Sequence, residues 1–154
     1  MGRMYKAQLS AIAVTAIQDL WEINAPSDAV VVLHSCVIGQ NTDFGDAAAE
    51  GLPVQISRAT GTAGSGGSGV TANPLEVGMP AYGGTVERNN TTQAGTTTVL
   101  HADVFNIQGG WLYIPTPEER IVISPSGVLV IELPVAPADS ITVYSTITFE
   151  EIGG

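Results

Sequence analysis

The last third of the chain shows the clearest alternation of hydrophobic and polar positions. Within 140–150, Ile141, Val143, Ile147 and Phe149 share one side, while threonine, tyrosine and glutamate residues occupy the other. A period of two is typical of a β-strand with one buried face, and β-branched residues suit a pleated sheet. The pattern therefore predicts a long strand whose apolar side faces a core.

Shorter apolar runs, separated by prolines and glycines, predict further strands. The run 30–38 is apolar on both faces, which indicates a central strand, whereas Pro53 near the start of its run indicates an edge strand. In the run 17–24, Ile17, Trp21 and Ile23 fall on one face. The predicted strands before 140 lie at 17–24, 30–38, 52–56, 85–88, 96–107, 111–115, 118–124 and 127–135.

Eight or nine short strands with turn residues between them predict an all-β fold, a β-sandwich with jelly-roll connectivity and long loops. The 154 residues fit a single domain over 1–154. Residues 1–10 form either an N-terminal arm or a first strand, and the Gly/Ser-rich stretch 60–73 forms a flexible surface loop. A helical turn is expected at 46–50.

Composition excludes several classes of function. A net charge of −10 with only five basic residues argues against nucleic-acid binding, which needs a Lys/Arg patch, and against docking on an anionic membrane. No apolar run approaches the ~20 residues of a membrane-spanning helix. The single cysteine, Cys36, excludes an intramolecular disulfide.

Three residues could in principle bind a metal ion. His34 and Cys36 are two positions apart on a predicted strand, so their side chains should share a face, and His101 lies on a distant strand. A structural zinc site needs four ligands in paired short spacings. A small buried thiol explains Cys36 more simply, so no metal ligand and no cofactor are assigned.

Acidic residues offer two weak alternatives. The loop residues Asn41, Asp43, Asp46 and Glu50 gather oxygen atoms but lack the spacing of a calcium-binding loop. The neighbouring pairs 118–119 and 150–151 are glutamates, yet neighbours on a strand point to opposite faces, whereas glycosidase carboxylates converge across a cleft. No catalytic residue is assigned, and we expect the protein not to be an enzyme.

Other motifs have simple structural interpretations. The stretch 64–69 matches G-x-G-x-x-G, but no helix is predicted after it, as a dinucleotide-binding loop requires. The overlapping sequons at 89–92 are interpreted as a turn. Trp21, Trp111 and Tyr113 are candidates for contact with a partner or a sugar, with core packing as the alternative for each.

Four segments together resemble a known family, at 18–23, 38–40, 110–118 and 149–154. They resemble small virion structural proteins of tailed bacteriophages, of the capsid decoration or cement type. The resemblance implies a β-sandwich or jelly-roll subunit that forms homo-dimers or homo-trimers. It also implies binding to the major capsid protein on the outer capsid surface, after synthesis in the bacterial cytoplasm.

The contacts between subunits are expected to come from residues 1–10 and 60–73, because of their composition. The alternative function is a lectin-like or receptor-binding head module built on the same sandwich. Exposed tryptophan or tyrosine side chains next to carboxylates would favour that alternative over a decoration protein.

Overall fold

Two antiparallel sheets pack face to face in the computed structural model, which describes residues 2–45 and 50–154. This arrangement confirms the predicted all-β sandwich, while the jelly-roll connectivity stays a prediction. The described chain contains twelve strands, more than the eight or nine expected, because several very short strands extend the sheet edges. The helical turn expected at 46–50 lies outside the described residues except for Glu50.

Sheet A contains the strands β1 (Arg3–Val14), β3 (Ala29–Gln40), β6 (Asn73–Pro74), β9 (Trp111–Tyr113), β10 (Val122–Ile123) and β12 (Ile141–Gly153). Their order is β10-β3-β12-β1-β6, and β9 pairs with the same edge of β3 that β10 occupies. The most extensive pairings are those of β12 with β3 and with β1, and each contains one bulge.

Sheet B contains the strands β2 (Gln18–Asn24), β4 (Gly51–Ala59), β5 (Ser68–Gly69), β7 (Thr85–Asn90), β8 (Thr97–Asn106) and β11 (Val128–Leu133). Their order is β5-β7-β2-β11-β4-β8. A 3₁₀ turn at Pro117–Glu119 connects β9 to β10.

The core between the sheets contains the residues that the alternating hydrophobic pattern predicted to be buried. Ile141, Val143, Ile147 and Phe149 of β12 are all buried, and the ring of Phe149 stacks on Tyr5 of β1 with centroids 5.8 Å apart. Full burial of one such side chain contributes about 1.5–3 kcal/mol. The prediction of a central strand at 30–38 is also confirmed, because β3 has neighbours on both sides.

A buried polar contact joins the two sheets across the core. Trp21 of β2 donates its Nε1 hydrogen to Ser145 Oγ of β12 at 2.8 Å, and Ser145 Oγ donates to the Val37 carbonyl at 2.7 Å. Both side chains are buried, and an unpaired buried donor is costly. This contact therefore links β2 to β12 across the core.

Residues 3–10 belong to β1 and pair with β12 over most of their length. Of the two alternatives, an arm or a first strand, the structure contains the strand. β1 is therefore hydrogen bonded within its own subunit, and the expectation that residues 1–10 also contact a neighbouring subunit stays a prediction.

The prediction that Pro53 marks an edge strand is wrong, because β4 pairs with both β11 and β8. Pairing with β11 runs only from Gln55 to Ala59. Pro53 therefore lies beyond the end of that ladder, where its missing N–H removes no hydrogen bond between strands. The sequence rule was correct about the missing donor but not about the position of the strand.

Three other boundaries differ from the sequence expectation. The strand predicted at 118–124 begins later, at Val122, because Pro117 starts the 3₁₀ turn. Ile17 precedes β2 and is exposed, since a bulge in the pairing of β2 with β11 breaks the expected alternation with Trp21. Asn90 ends β7 and is buried, so the predicted turn at 89–92 begins later than expected.

Candidate functional site

The outer surface of sheet A carries a group of exposed hydrophobic side chains. They occur on four of its strands, and Val37 is the direct cross-strand partner of Leu112. Each is between 42% and 61% exposed. We call this surface the apolar face; it consists of Val37, Leu112, Val122, Tyr144 and Ile152.

Few charges accompany the apolar face. Among the outward positions of the described strands of sheet A, Lys6 of β1 is a base and Glu150 of β12 is an acid. Glu150 is already occupied: Oε2 lies 3.0 Å from His34 Nε2, and Oε1 accepts the Gly2 N–H at 2.9 Å. Threonines fill most remaining outward positions of β12. This surface is therefore almost uncharged in a protein of net charge −10.

The outer surface of sheet B is acidic by contrast. Asp19 and Glu22 of β2 pair with Glu132 of β11 and Glu87 of β7, so all four carboxylates project from the same side of the sheet. Asp19, Glu22 and Glu132 are nonetheless buried. We call these three residues the carboxylate cluster.

Two loops cover the carboxylate cluster and are hydrogen bonded to it. The N–H of Gly64 donates to Glu22 Oε2 at 2.7 Å, and the N–H of Ala94 donates to Asp19 Oδ2 at 2.7 Å. The amide of Gln93 donates to Glu132 Oε2 at 2.8 Å. The carboxylates thus supply the acceptors that hold both loops on the sheet.

The composition of the Gly/Ser-rich stretch follows from this close approach. A Cβ on Gly64 would lie 2.8 Å from Glu22 Oε2, and one on Gly67 would lie 2.2 Å from the Arg88 carbonyl oxygen. The N–H of Gly67 also donates to Asn90 Oδ1 at 3.1 Å. Glycine is needed here so that the backbone can lie directly on the sheet, not to bind a dinucleotide.

Burial changes the acidity of Asp19. Loss of solvation raises its pKa from 3.8 to about 6, and the charges of Glu132 and Glu22 act in the same direction, while the Ala94 N–H lowers it. Oδ1 of Asp19 has no hydrogen-bond partner among the described residues. Ionised Asp19 is therefore unfavourable in this position.

An open groove of about 430 Å³ lies between β8 of sheet B and β9 of sheet A. Trp111 Nε1 donates to Asp103 Oδ2 at 3.1 Å, and the His101 ring lies 4.9 Å from that of Tyr113. The Trp111 hydrogen bond, followed by the Val104 N–H, lowers the pKa of Asp103. We call this the edge groove; it is lined by Leu100, His101, Asp103, Trp111, Tyr113 and Glu119, among others.

The three aromatic candidates for contact are largely enclosed. Trp21 is fully buried in the core, and Trp111 and Tyr113 are only 7% and 8% exposed. Burial raises the pKa of the Tyr113 hydroxyl, with a smaller effect from Glu119. These rings support the walls of the sandwich and do not present an open stacking surface.

The structure does not bring the three candidate metal ligands together. A bulge in the pairing of β3 with β12 falls at His34, so His34 faces outward to Glu150 while Cys36 faces the core. The expectation that these two side chains share a face is wrong for that reason. Burial raises the pKa of Cys36 to about 12, and His101 lies in the edge groove.

The acidic candidates are also separated. Asn41 donates to the Tyr144 hydroxyl at 3.5 Å, Glu50 Oε1 accepts the Ala138 N–H at 2.8 Å, and Asp46 lies outside the described residues. Glu151 points inward to Arg3, opposite to its neighbour at 150. No group of three His, Cys, Asp or Glu side chains in the described ranges could hold a metal ion.

Sequence reasoning missed the carboxylate cluster. Its members occupy the polar positions of strands, and such positions are normally solvent-exposed. The buried state depends on loops that are distant in sequence, since Gly64 is 42 positions from Glu22 and Ala94 is 75 from Asp19. The one available signal was the glycine-rich composition of the covering loop.

Comparison with known proteins adds no assignment. None of the described residues forms a helix that is long and apolar enough to cross a membrane. No family model, no curated protein and no solved structure matches the chain.

Proposed function

We propose that this chain is a structural protein of a tailed-bacteriophage particle that binds the outer surface of the capsid as a decoration or cement protein. The observation that carries the proposal is the difference between the two outer surfaces of the sandwich. One is apolar and almost uncharged, whereas the other is acidic and covered by its own loops. The resemblance of four sequence segments to such proteins points the same way.

Burial of the apolar face would drive the association. A fully buried leucine or valine contributes about 1.5–3 kcal/mol, and Leu112 and Val122 are both more than half exposed in the free subunit. A stable interface needs ~800 Å² from each partner. An almost uncharged sheet surface can be buried without removing many charges from water, which would be costly.

The outer side of sheet B, with its loop-covered carboxylates, would then face away from the shell. Its charge would favour an orientation away from the packaged DNA, whose phosphates repel carboxylates. Many copies on one particle would act together through avidity, and binding to the closed shell would stabilise it by mass action.

The proposal specifies the partners and the location. The partner is the major capsid protein, and copies of the same chain associate as dimers or trimers on the virion. Synthesis takes place in the cytoplasm of the bacterial host. The chain acts by burying surface, without catalysis, cofactor or nucleic acid.

Substitutions on the apolar face test the proposal. We expect Leu112→Glu and Val122→Glu each to weaken binding to shells of the encoding phage, prepared without this protein, by at least about tenfold, since about 1.4 kcal/mol corresponds to that factor. Val135→Glu is the control, because Val135 is equally exposed but lies outside the strands. Co-sedimentation measures binding, and the temperature at which shells release DNA measures stabilisation.

Two outcomes would contradict the proposal. One is that the unaltered protein does not co-sediment with shells, or leaves their release temperature unchanged. The other is that all three variants bind as well as the unaltered protein. Binding to a glycan array, lost when Trp111 is replaced, would instead support a lectin-like head.

A further inference from the structure

Four sheet edges are present in the described fold. The edge strands β5 and β6 are two residues long, and β6 pairs with β1 only at Tyr5 and Lys6, so most of that side of β1 carries no strand. The edge shared by β9 and β10 consists of three and two residues. The fourth edge is β8, with ten residues that pair only with β4. Natural proteins keep edge strands short because a long free edge can pair with another chain.

β8 contains no lysine and no proline, and Val99, Leu100 and Val104 are exposed along it, Val104 by 62%. A bulge in its pairing with β4 falls at Leu100, and the pairing is regular from His101 to Asn106. The exposed apolar side chains of β8 favour strand addition at this edge.

We propose that β8 pairs antiparallel with β8 of a second copy of this chain, across a two-fold axis at Ala102. The sequence around Ala102 is self-complementary in this register. His101 of each copy would lie opposite Asp103 of the other, and Leu100 would lie opposite Val104. A histidine ring can donate a hydrogen bond to a carboxylate directly across two strands, and apolar pairs in that position are stabilising.

The side chains already face the direction that the pairing requires. His101 and Asp103 are paired with Ile56 and Val54 of β4, whose side chains are in the core. Both therefore point to the inner side of sheet B, where Asp103 reaches Trp111 and His101 contacts Tyr113. Pairing would join the edge grooves of the two copies across the axis.

Backbone hydrogen bonding is consistent with a free edge at Val104. Its partner on β4 is Pro53, and its N–H donates instead to Asp103 Oδ1 at 2.8 Å. Alternate residues of an antiparallel strand direct N–H and C=O groups to opposite sides. Val104 and Ala102 therefore present these groups to the free edge. A carbonyl group of a second strand would replace the Asp103 carboxylate as the acceptor of the Val104 N–H.

Neighbouring registers are less favourable. An axis at Asp103 would place two carboxylates opposite each other, and like charges directly across strands repel. An axis at Val104 would place Asp103 opposite Phe105, so that neither the charge nor the ring would have a matching partner. The pattern of β8 therefore selects Ala102.

Cysteine substitution tests the register. Across the axis, Ala102 faces itself with Cα atoms ~4.5–5.5 Å apart, within the ~4.4–6.8 Å that a disulfide spans. Two copies of Val104 would be about 14 Å apart, because four residues at ~3.4 Å each and one strand spacing separate them. We expect Ala102→Cys to form a covalent dimer under mild oxidation, and Val104→Cys to remain mostly monomeric. The native Cys36 is fully buried, so the unaltered chain is the background control.

Exchange of the two residues tests the pairing independently. Sedimentation velocity of the unaltered protein should show a monomer–dimer equilibrium that shifts with concentration. His101→Asp should abolish the dimer, because it places carboxylates opposite each other, and Asp103→His should weaken it, because no carboxylate then faces either histidine. The double variant should restore the dimer, because each aspartate again faces a histidine. Thermal melts of all variants separate loss of folding from loss of pairing.

The proposal is overturned if the unaltered chain is monomeric at every concentration, if Val104→Cys cross-links as fast as Ala102→Cys, or if the double variant stays monomeric while folded. It does not depend on capsid binding, which uses the apolar face of sheet A. A monomeric chain that binds shells would contradict this self-association and the dimers or trimers of the proposed function, but not capsid binding.

Discussion

Replacing Asp19 with asparagine should stabilise the protein at neutral pH. Asp19 is 1% exposed, its neighbours Glu22 and Glu132 are acidic, and its pKa is raised to about 6. Asparagine keeps an oxygen that can accept the Ala94 N–H, and it has no charge. Its amide group could also donate toward the surrounding carboxylates.

The magnitude follows from the difference between the folded and unfolded pKa. A pKa of about 6 in the folded state against 3.8 in the unfolded state, at about 1.36 kcal/mol per pH unit, sets a ceiling of about 3 kcal/mol. The hydrogen bond from the Ala94 N–H is weaker to a neutral amide oxygen than to a carboxylate, which offsets part of this gain, so we expect about 1–2 kcal/mol. In a chain of this size that corresponds to about 3–6 °C in Tm.

The change in stability that Asp19→Asn causes depends on pH. Because the folded pKa is raised, the fold binds the proton of Asp19 more tightly than the unfolded chain does. The stability that Asp19 contributes is fully present below pH 3.8 and is lost as the pH rises through about 6. Asp19→Asn should therefore stabilise the protein relative to the unaltered chain at pH 7.5, with little or none of this gain at pH 4.

Urea unfolding of both proteins between pH 4 and pH 8 measures the difference directly. Asp139→Asn is the matched control, because Asp139 is exposed in a loop, and its effect should stay within about 0.5 kcal/mol at every pH. A loss of stability in Asp19→Asn at pH 7.5, or a difference that does not change with pH, would refute the reasoning.

Two further predictions concern the backbone and the core. Gly110 has a φ of +72°, and a Cβ there would lie 2.8 Å from the Ile38 carbonyl oxygen. Gly110→Ala should therefore destabilise the protein by about 1–3 kcal/mol. Gly109→Ala is the control: its Cβ would lie 3.7 Å from the nearest atom, so it should be nearly neutral in the same urea assay. Ser145→Ala should cost about 1–3 kcal/mol by leaving the buried Trp21 Nε1 without its acceptor; an unchanged unfolding midpoint would show that this contact does not join the sheets.

The sequence predicted the strands more reliably than it predicted their positions in the sheets. The alternation of β12 and the apolar run of β3 were sufficient to predict a buried and a central strand, because the period of side chains is a local property of the backbone. Pro53 was insufficient to predict an edge, since it excludes only one backbone hydrogen bond, and the length of the partner β11 decides whether that bond exists.

Irregular positions explain most remaining differences. One extra residue at His34 reverses the side on which the following side chains lie, and it separates His34 from Cys36. A similar irregularity between Asp19 and Trp21 leaves Ile17 exposed. Bulges have no strong sequence signal, because they depend on how two strands fit each other.

The amino-acid sequence alone determined the fold class, the strand-and-turn composition and the acidic balance, since these follow from local periodicity, turn residues and counted charges. Tertiary structure alone decided where the charges lie. Pairing of β2, β7 and β11 gathers the carboxylates on sheet B, and pairing of β3, β9, β10 and β12 gathers Val37, Leu112, Val122 and Tyr144 on sheet A. The physical reason is that a surface combines residues from distant parts of the chain, and their neighbours across strands are set by register, which no single segment encodes.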